Sequence, residues 1–220
     1  MDLSTVDHLL TTTRSVRKRL DFERPVAPEI IQECLEIAVQ APSGSNRQGW
    51  LFMVITDPAK RAQLGELYKK SFKLYAEHQQ KTTPNYPEND PRATRAAKVF
   101  KSAFYLARNM HKAPVHIIPC IEGRLQPTDD VLTQASRFGS ILPAAWSLML
   151  ALRSRGLGAS WTTLHLRYAQ EAADLLGIPE NMIQVALLPV AYFTGDDFSP
   201  AKRVPARELT YWDSWGELKK

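Results

Sequence analysis

Two arginines three residues apart stand near the start of the 220-residue chain, in Arg14-Ser15-Val16-Arg17. Each guanidinium offers a planar fork of N–H donors that matches the oxygens of a phosphate or another oxyanion. A solvated basic turn would use the same residues, so the segment alone leaves both interpretations open. What lies beside it in the fold must decide between them.

A stretch rich in turn-forming residues, Ala41-Pro42-Ser43-Gly44-Ser45-Asn46-Arg47-Gln48-Gly49-Trp50, leads directly into an apolar run. Ser43, Asn46 and Gln48 supply several hydrogen-bond donors and acceptors in a short space, enough to contact the edge of a heterocycle. The alternative is a plain turn between a helix and a strand, but such turns rarely need ten residues. We favour a ligand-binding loop.

A third stretch joins Gly156-Leu157-Gly158 to Ala159-Ser160-Trp161-Thr162-Thr163-Leu164-His165. A glycine break between a buried helix and a short strand can present backbone N–H groups to a ligand ring. The glycines are equally explained as the end of a helix and a tight turn.

The elements that must position these stretches follow from hydrophobic periodicity and capping residues. We expect a first helix capped by Ser4, a second helix from Pro28, a third over 59–74 after Asp57-Pro58, a buried helix over 140–155 closed by Gly156, and a helix over 168–176 stopped by Gly177. Buried strands are predicted over 50–56, 114–121, 159–163 and 183–193. The polar segment 76–95 is predicted to be a lid or surface insertion, with a helix resuming over 96–110. The class is α+β or α/β around one mixed sheet.

Composition excludes several classes of protein. Cys34 and Cys120 lack a Cys-x-x-Cys spacing and fall in apolar patterns, so we expect core residues rather than a disulfide framework or zinc site. The histidines form no metal-ligand spacing. The first residues carry acids and no apolar core of a signal peptide, and the longest apolar stretch, 138–152, is short for a membrane span. We expect a soluble, cytoplasmic protein.

Together the three stretches resemble the nitroreductase family of flavoproteins. Its members begin with an Arg-Ser-x-Arg-like element, followed about 25 residues later by Ala-Pro-Ser-x-x-Asn-x-Gln-x-Trp. Here the second element matches at Ala41, Pro42, Ser43, Asn46, Gln48 and Trp50. A later Gly-Leu-Gly-x-x-Trp-Thr element matches at 156–162, and a basic pair before a proline matches at Lys202-Arg203-Val204-Pro205.

The resemblance implies an FMN site in an α+β fold. Arg14, Ser15 and Arg17, with Arg203 from the tail, would hold the phosphate and ribityl chain. Pro42, Ser43, Asn46 and Gln48 would line the flavin, and the backbone of Thr162, Thr163, Leu164 and His165 would face its reactive nitrogen. The resemblance further implies a single domain over 1–220 in an intertwined homodimer with interfacial flavins, whose swapped tail, 200–220, would bury Trp212 and Trp215.

The chain also departs from the family pattern. Where some members have a Glu-Gly pair after the glycine turn, it has Leu164-His165-Leu166, so His165 could contact flavin or substrate, or be structural. Because hydride transfer needs no protein acid or base, we nominate no catalytic residue. No Gly-x-Gly-x-x-Gly fingerprint decides between NADH and NADPH.

The predicted function is a ping-pong oxidoreductase that passes electrons from NADH or NADPH through FMN to a nitroaromatic, quinone or similar planar acceptor. A branch of the family that removes halogen or destroys flavin is one alternative, and a flavin-binding storage or sensor protein is another. The formal charge of +5 also raises the hypothesis of a nucleic-acid-binding domain. No nucleic-acid motif supports it, and arginines around an FMN phosphate need no nucleic acid to explain them.

Overall fold

The computed structural model describes residues 2–82, 91–126 and 128–217. The chain divides into two compact units. One is Arg14–Gly195, which carries the sheet and its helices. The other combines Met1–Thr13 with Asp196–Lys220.

Helices and strands are interspersed along the chain. The helices are α1 (Leu3–Thr12), α2 (Pro28–Ala38), α3 (Pro58–Thr82), α4 (Pro91–Asn109), α5 (Val131–Ser154) and α6 (Ala169–Leu176). The strands are β1 (Trp50–Ile55), β2 (Val115–Glu122), β3 (Leu157–Ala159), β4 (Met182–Gln184) and β5 (Leu188–Tyr192). The α+β class predicted from the sequence is confirmed.

The sheet has the order β1-β2-β5-β3, with β4 also paired to β2. Two helices, α3 and α4, connect β1 to β2, which pairs antiparallel with β1. A single helix, α5, connects β2 to β3, which therefore run the same way, with β5 antiparallel to both between them. Within the described part of the chain every strand pair is antiparallel, so the expected mixed sheet is corrected to an antiparallel one.

The single strand predicted over 183–193 is two strands. Cys120 lies opposite Gln184 on β4, whereas Ile117 lies opposite Leu188 on β5. The four residue steps from Gln184 to Leu188 therefore lie opposite only three steps along β2, from Cys120 to Ile117. One extra residue on one side of a strand pair is the signature of a β-bulge. Leu187, inside the bulge, exchanges backbone hydrogen bonds with Thr162 at 2.8 and 3.2 Å.

The predicted polar insertion is partly helical. Residues 76–82 complete α3 and residues 91–95 begin α4, with Pro91 at a first-turn position where its missing N–H costs nothing. Residues 83–90 lie outside the described residues. Similarly, α1 is capped by Asp2 rather than Ser4, because the Asp2 carboxylate accepts from the backbone N–H groups of Ser4 and Thr5.

Helix α5 forms the centre of the core. It extends beyond the predicted 140–155 in the N-terminal direction, and its buried residues pack against α2 and β2. By length and hydropathy it is the one helix among the described residues that could cross a bilayer, although 44% of that window is buried inside the fold. Core packing accounts for its apolar character. Gly156 follows it with φ of 76°, the left-handed conformation expected of a C-terminal cap.

Two histidines lie inside this core without a full set of hydrogen bonds. His116 on β2 has no exposed surface, and its Nε2 donates to the Met110 carbonyl at 2.8 Å while its Nδ1 has no partner. His165 is equally buried, with neither ring nitrogen bonded. Burial lowers the pKa of each ring to about 4, and further repulsion comes from Arg61 and His111 at His116 and from His116 at His165.

This pair predicts a loss of stability in mild acid. These two histidines bind protons near pH 6.5 in the unfolded chain but only near pH 4 in the folded chain. The free energy of unfolding therefore falls by up to about 1.4 kcal/mol per pH unit per histidine as the pH falls through that window. Urea unfolding of His165→Phe should show a shallower decline between pH 6.5 and 4.5 than the parent protein. Equal slopes for His165→Phe and the parent would refute this assignment.

Candidate functional site

The Arg14–Arg17 segment lies along the outer edge of β3. The backbone N–H of Val16 donates to the Ala159 carbonyl at 2.8 Å. The Ser15 hydroxyl accepts from the backbone N–H of Trp161 at 3.1 Å. Two stretches about 145 residues apart in sequence, each singled out for its chemistry, are therefore joined directly.

Gly158 allows this close approach. Val16 is buried, and a Cβ built on Gly158 would lie 3.0–3.1 Å from the Cβ and both Cγ atoms of Val16. That is tighter than nearly all real contacts, so any larger residue would push the segment outward. The second glycine of the Gly156-Leu157-Gly158 turn therefore serves packing against the basic segment.

The arginines are held at the boundary between core and solvent. Arg14 and Arg17 are both half-buried. Arg17 makes no ion pair with a carboxylate in the part of the chain that the structure describes. It acts electrostatically on Tyr68 of α3: burial raises the pKa of that phenol to about 12, and the charge of Arg17 opposes the rise. A half-buried guanidinium without an acidic neighbour is suited to an anionic ligand.

The loop over 43–48 is a strained polar turn. Ser45, Asn46 and Gln48 have φ values of 53°, 52° and 51°, in the left-handed region that residues other than glycine rarely adopt. Two bonds hold this shape: the Ser43 hydroxyl accepts from the Gln48 N–H at 3.1 Å, and the Gln48 amide donates to Asn46 Oδ1 at 3.1 Å. Strain of this kind concentrates at ligand-binding sites.

Ser140 of α5 anchors the loop to the core. Its hydroxyl accepts from the Gly44 N–H at 2.9 Å and donates to the Ser136 carbonyl at 2.7 Å. Nothing in the sequence marks this residue, because it lies 96 positions from the loop in the middle of an apolar helix. Pro42, Asn46 and Gln48 remain exposed, so the amide oxygen of Gln48 and the amide nitrogen of Asn46 face solvent as one acceptor and one donor group.

No hydrogen bond joins the loop to the basic segment among the described residues of one chain. There the hydrogen bonds of residues 43–48 lead to the loop itself or to α5, and none to Arg14–Arg17 or to 161–165. Arg203 belongs to the other compact unit, where it is exposed. Its approach to Arg14 and Arg17 stays a prediction.

In the predicted flavin-facing stretch, 162–165, some polar groups are hydrogen-bonded within the fold and others are exposed. Thr162 is buried, its hydroxyl donates to the Leu187 carbonyl at 2.6 Å, and its backbone N–H and carbonyl also pair with Leu187. Thr163 is exposed, and its hydroxyl makes no hydrogen bond within the described chain. Leu164 is half-buried. The ring of His165 has no accessible surface, so its side chain serves the core and only its backbone can approach a ligand.

Thiol and metal chemistry find no support at these positions. Cys34 and Cys120 are buried free cysteines, and burial raises the pKa of both, to about 12 for Cys120. Neither thiol therefore becomes a thiolate nucleophile at neutral pH. Among the described residues, no group of three or more His, Cys, Asp and Glu side chains could hold a metal ion.

The same segments define a known family. A model of the nitroreductase family matches residues 10–192, which include the basic segment, the polar loop and the glycine turn. The chain belongs to the nitroreductase family.

Relatives within the nitroreductase family differ in what they do. The chain is 26% identical over 188 residues to an Archaeoglobus fulgidus protein whose name assigns it provisionally to NADH dehydrogenases or NAD(P)H nitroreductases, covering 84% of this chain and 83% of that protein. It is 26% identical over 201 residues to the iodotyrosine deiodinase of Thermotoga neapolitana, covering 91% and 93%. Among solved structures, the FMN- and NADPH-dependent nitroreductase NfnB of Sphigopyxis sp. strain HMH superposes with a TM-score of 0.67 at 22% identity, covering 95% and 99%.

The packing of Val16 on Gly158 predicts opposite effects for two glycine substitutions. Gly158→Ala should lower the free energy of unfolding by roughly 1–3 kcal/mol, because the added methyl overpacks a buried contact. Gly139→Ala, inside α5 with nothing within 4 Å of its Cβ position, should be neutral or stabilise by up to about 1 kcal/mol. Urea denaturation measures both. A Gly158→Ala protein as stable as Gly139→Ala would contradict the packing.

Proposed function

We propose that this chain is an FMN-dependent oxidoreductase that accepts hydride from a reduced nicotinamide and passes electrons to a small planar acceptor such as a nitroaromatic or a quinone. The observation that carries the proposal is the hydrogen-bonded junction of Ser15 and Val16 with Trp161 and Ala159, because it holds a pair of half-buried arginines beside a chain turn suited to a ring. Family membership supports the oxidoreductase class.

The residues present fit the phosphate of FMN. That phosphate carries close to two negative charges at neutral pH, and charge-assisted bonds from guanidinium groups are about twice as strong as neutral ones. Arg17 lacks a carboxylate neighbour among the described residues, and the extended segment places Arg14 and Ser15 next to it. Arg203 from the tail would add a third guanidinium.

The isoalloxazine ring would lie between two polar surfaces. Thr163, whose hydroxyl makes no hydrogen bond among the described residues, and the backbone of Leu164 and His165 would face the reactive edge. The exposed amides of Asn46 and Gln48, with Pro42 and Ser43, would contact the ring from the other side. The strained loop is already in a fixed shape, which reduces the ordering cost of binding.

An intertwined homodimer would bring the two surfaces together. Within one chain the loop is bonded to α5 and the basic segment to β3, so a second protomer is the natural source of the loop at each site. The tail offers aromatic surface for such an interface: the side chain of Trp215 is 92% exposed and that of Trp212 50%. Large exposed aromatics on a polar segment indicate a partner surface.

When bound, FMN supplies the hydride chemistry, and the chain supplies position, charge and shelter from water. No acid or base of the protein is required for the transfer. The proposal includes both NADPH and NADH as hydride donors. A cytoplasmic location fits a pair of reduced, buried cysteines, and no nucleic acid or membrane is needed.

The similarity to an iodotyrosine deiodinase over nearly the whole chain favours reductive dehalogenation of an aromatic substrate as a second candidate. Anaerobic oxidation of NADPH and NADH by the flavin-loaded protein separates the candidates. We expect bleaching of the flavin band by at least one nicotinamide and its recovery with a quinone or nitroaromatic. Recovery only with a haloaromatic would establish the second candidate, and a flavin that neither nicotinamide reduces would indicate a storage or sensor protein.

The phosphate assignment predicts a specific loss in Arg17→Gln. Removing one charge-assisted hydrogen bond, worth about 1.5–3 kcal/mol, should weaken FMN binding roughly 10- to 100-fold. Quenching of flavin fluorescence on titration measures the Kd. Arg124→Gln is the matched control, since Arg124 forms an exposed ion pair with Glu180 that contributes little. An unchanged Kd in Arg17→Gln would remove Arg17 from the site.

A further inference from the structure

A groove of about 480 Å³ opens between the C-terminal half of α4, the 3-10 turn Met110–Lys112 that follows it, and the residue after Arg17. Its volume falls in the range of roughly 300–1,000 Å³ that small-molecule sites occupy. Four cationic side chains and two aromatic rings line it: Lys18, Lys101, Arg108, Lys112, Phe104 and Tyr105. We call it the basic groove.

Among the described residues, the positive charge of the basic groove has no carboxylate partner. No carboxylate lines it, and none of its four cations forms an ion pair within the part of the chain that the structure describes. The whole chain carries a formal charge of only +5, so this cluster is a strong local excess. A concave surface of one sign concentrates the field and favours an anion of several charges.

The aromatic wall is held in place by packing and is partly exposed. Phe104 packs against Phe72 of α3 with ring centroids 6.1 Å apart, and Phe72 packs in turn against Phe100 at 5.8 Å. The Phe104 side chain is still 46% exposed, and the Arg108 guanidinium lies 5.7 Å from its ring centroid. A held, partly exposed ring beside a guanidinium can pack against another aromatic ring.

We propose that the basic groove binds a phosphorylated nucleoside, with its phosphates on the lysines and Arg108 and its base against Phe104. Two sources share this chemistry. One is the adenosine-phosphate end of NADPH, in which case the link to turnover rests on the proposed function. The other is a separate mononucleotide bound apart from catalysis. A groove of this size fits one nucleotide, whereas a nucleic-acid strand needs a longer basic track.

Calorimetric titration of the flavin-loaded protein with adenosine 2′,5′-bisphosphate tests the proposal. We expect saturable binding of one molecule per chain, weakened by salt, with adenosine binding at least tenfold more weakly. The double variant Lys101→Gln/Lys112→Gln should bind the bisphosphate at least tenfold more weakly than the parent, because two charge-assisted contacts are lost. The double variant Lys60→Gln/Lys73→Gln, at two exposed lysines outside the basic groove, removes the same charge and should leave the Kd unchanged.

Steady-state kinetics distinguish the two sources. If the KM for NADPH rises about tenfold in the double variant while kcat and the KM for NADH stay near the parental values, the ligand is the dinucleotide. If bisphosphate binding is lost but both KM values are unchanged, the ligand is a separate nucleotide.

Three results would overturn the proposal: no saturable binding of the bisphosphate, equal binding of adenosine, or equal affinity in the double variant. Tighter binding of a single-stranded oligonucleotide than of the bisphosphate would overturn it in favour of nucleic acid. These outcomes are separate from those of the flavin proposal. A yellow, active protein that does not bind the bisphosphate would contradict only this inference. A colourless protein that binds the bisphosphate would contradict only the flavin function.

Discussion

The pairing of the Arg14–Arg17 segment with the edge of β3 is the constraint on which the rest of the site depends. One backbone bond, from Val16 to Ala159, and one side-chain bond, from Trp161 to Ser15, connect the beginning of the sheet-bearing unit to its glycine turn. Because Val16 is buried over Gly158, the segment cannot slide without opening the core. The backbone that carries Arg14 and Arg17 is thereby held beside the sheet, so that an anion bound as we propose would meet a segment already ordered by folding.

The sequence predicted the elements well where local rules decide them. Pro28, Asp57-Pro58, Gly156 and Gly177 mark helix ends through capping chemistry that acts within a few residues, and the structure has helix ends there. Errors arose where long-range pairing decides. The bulge that splits 182–192 depends on β2 and on Thr162, and the helical ends of the polar insertion depend on α3 packing along α4. No periodicity in one segment encodes a partner located elsewhere in the chain.

The candidate site shows the same division. Residue types and spacing indicated the basic segment, the loop and the turn, but not which groups inside them are available. The hydroxyl of Thr162 is hydrogen-bonded to Leu187, and His165 is enclosed in the core beside His116. Ser140 holds the loop from a helix whose sequence is mostly apolar. Buried polar groups are satisfied within the fold first, which leaves groups such as the hydroxyl of Thr163, the amide nitrogen of Asn46 and the amide oxygen of Gln48 for a ligand.

The central claim is that a phosphate dianion is held by guanidiniums at the edge of β3. It is tested most directly by comparing FMN with riboflavin, which has the same ring and ribityl chain but no phosphate. We expect the purified protein to retain about one FMN per chain through gel filtration and to bind riboflavin about 100-fold more weakly, the equivalent of roughly 3 kcal/mol. Equal affinity for the two flavins, or retention of neither, would contradict the account.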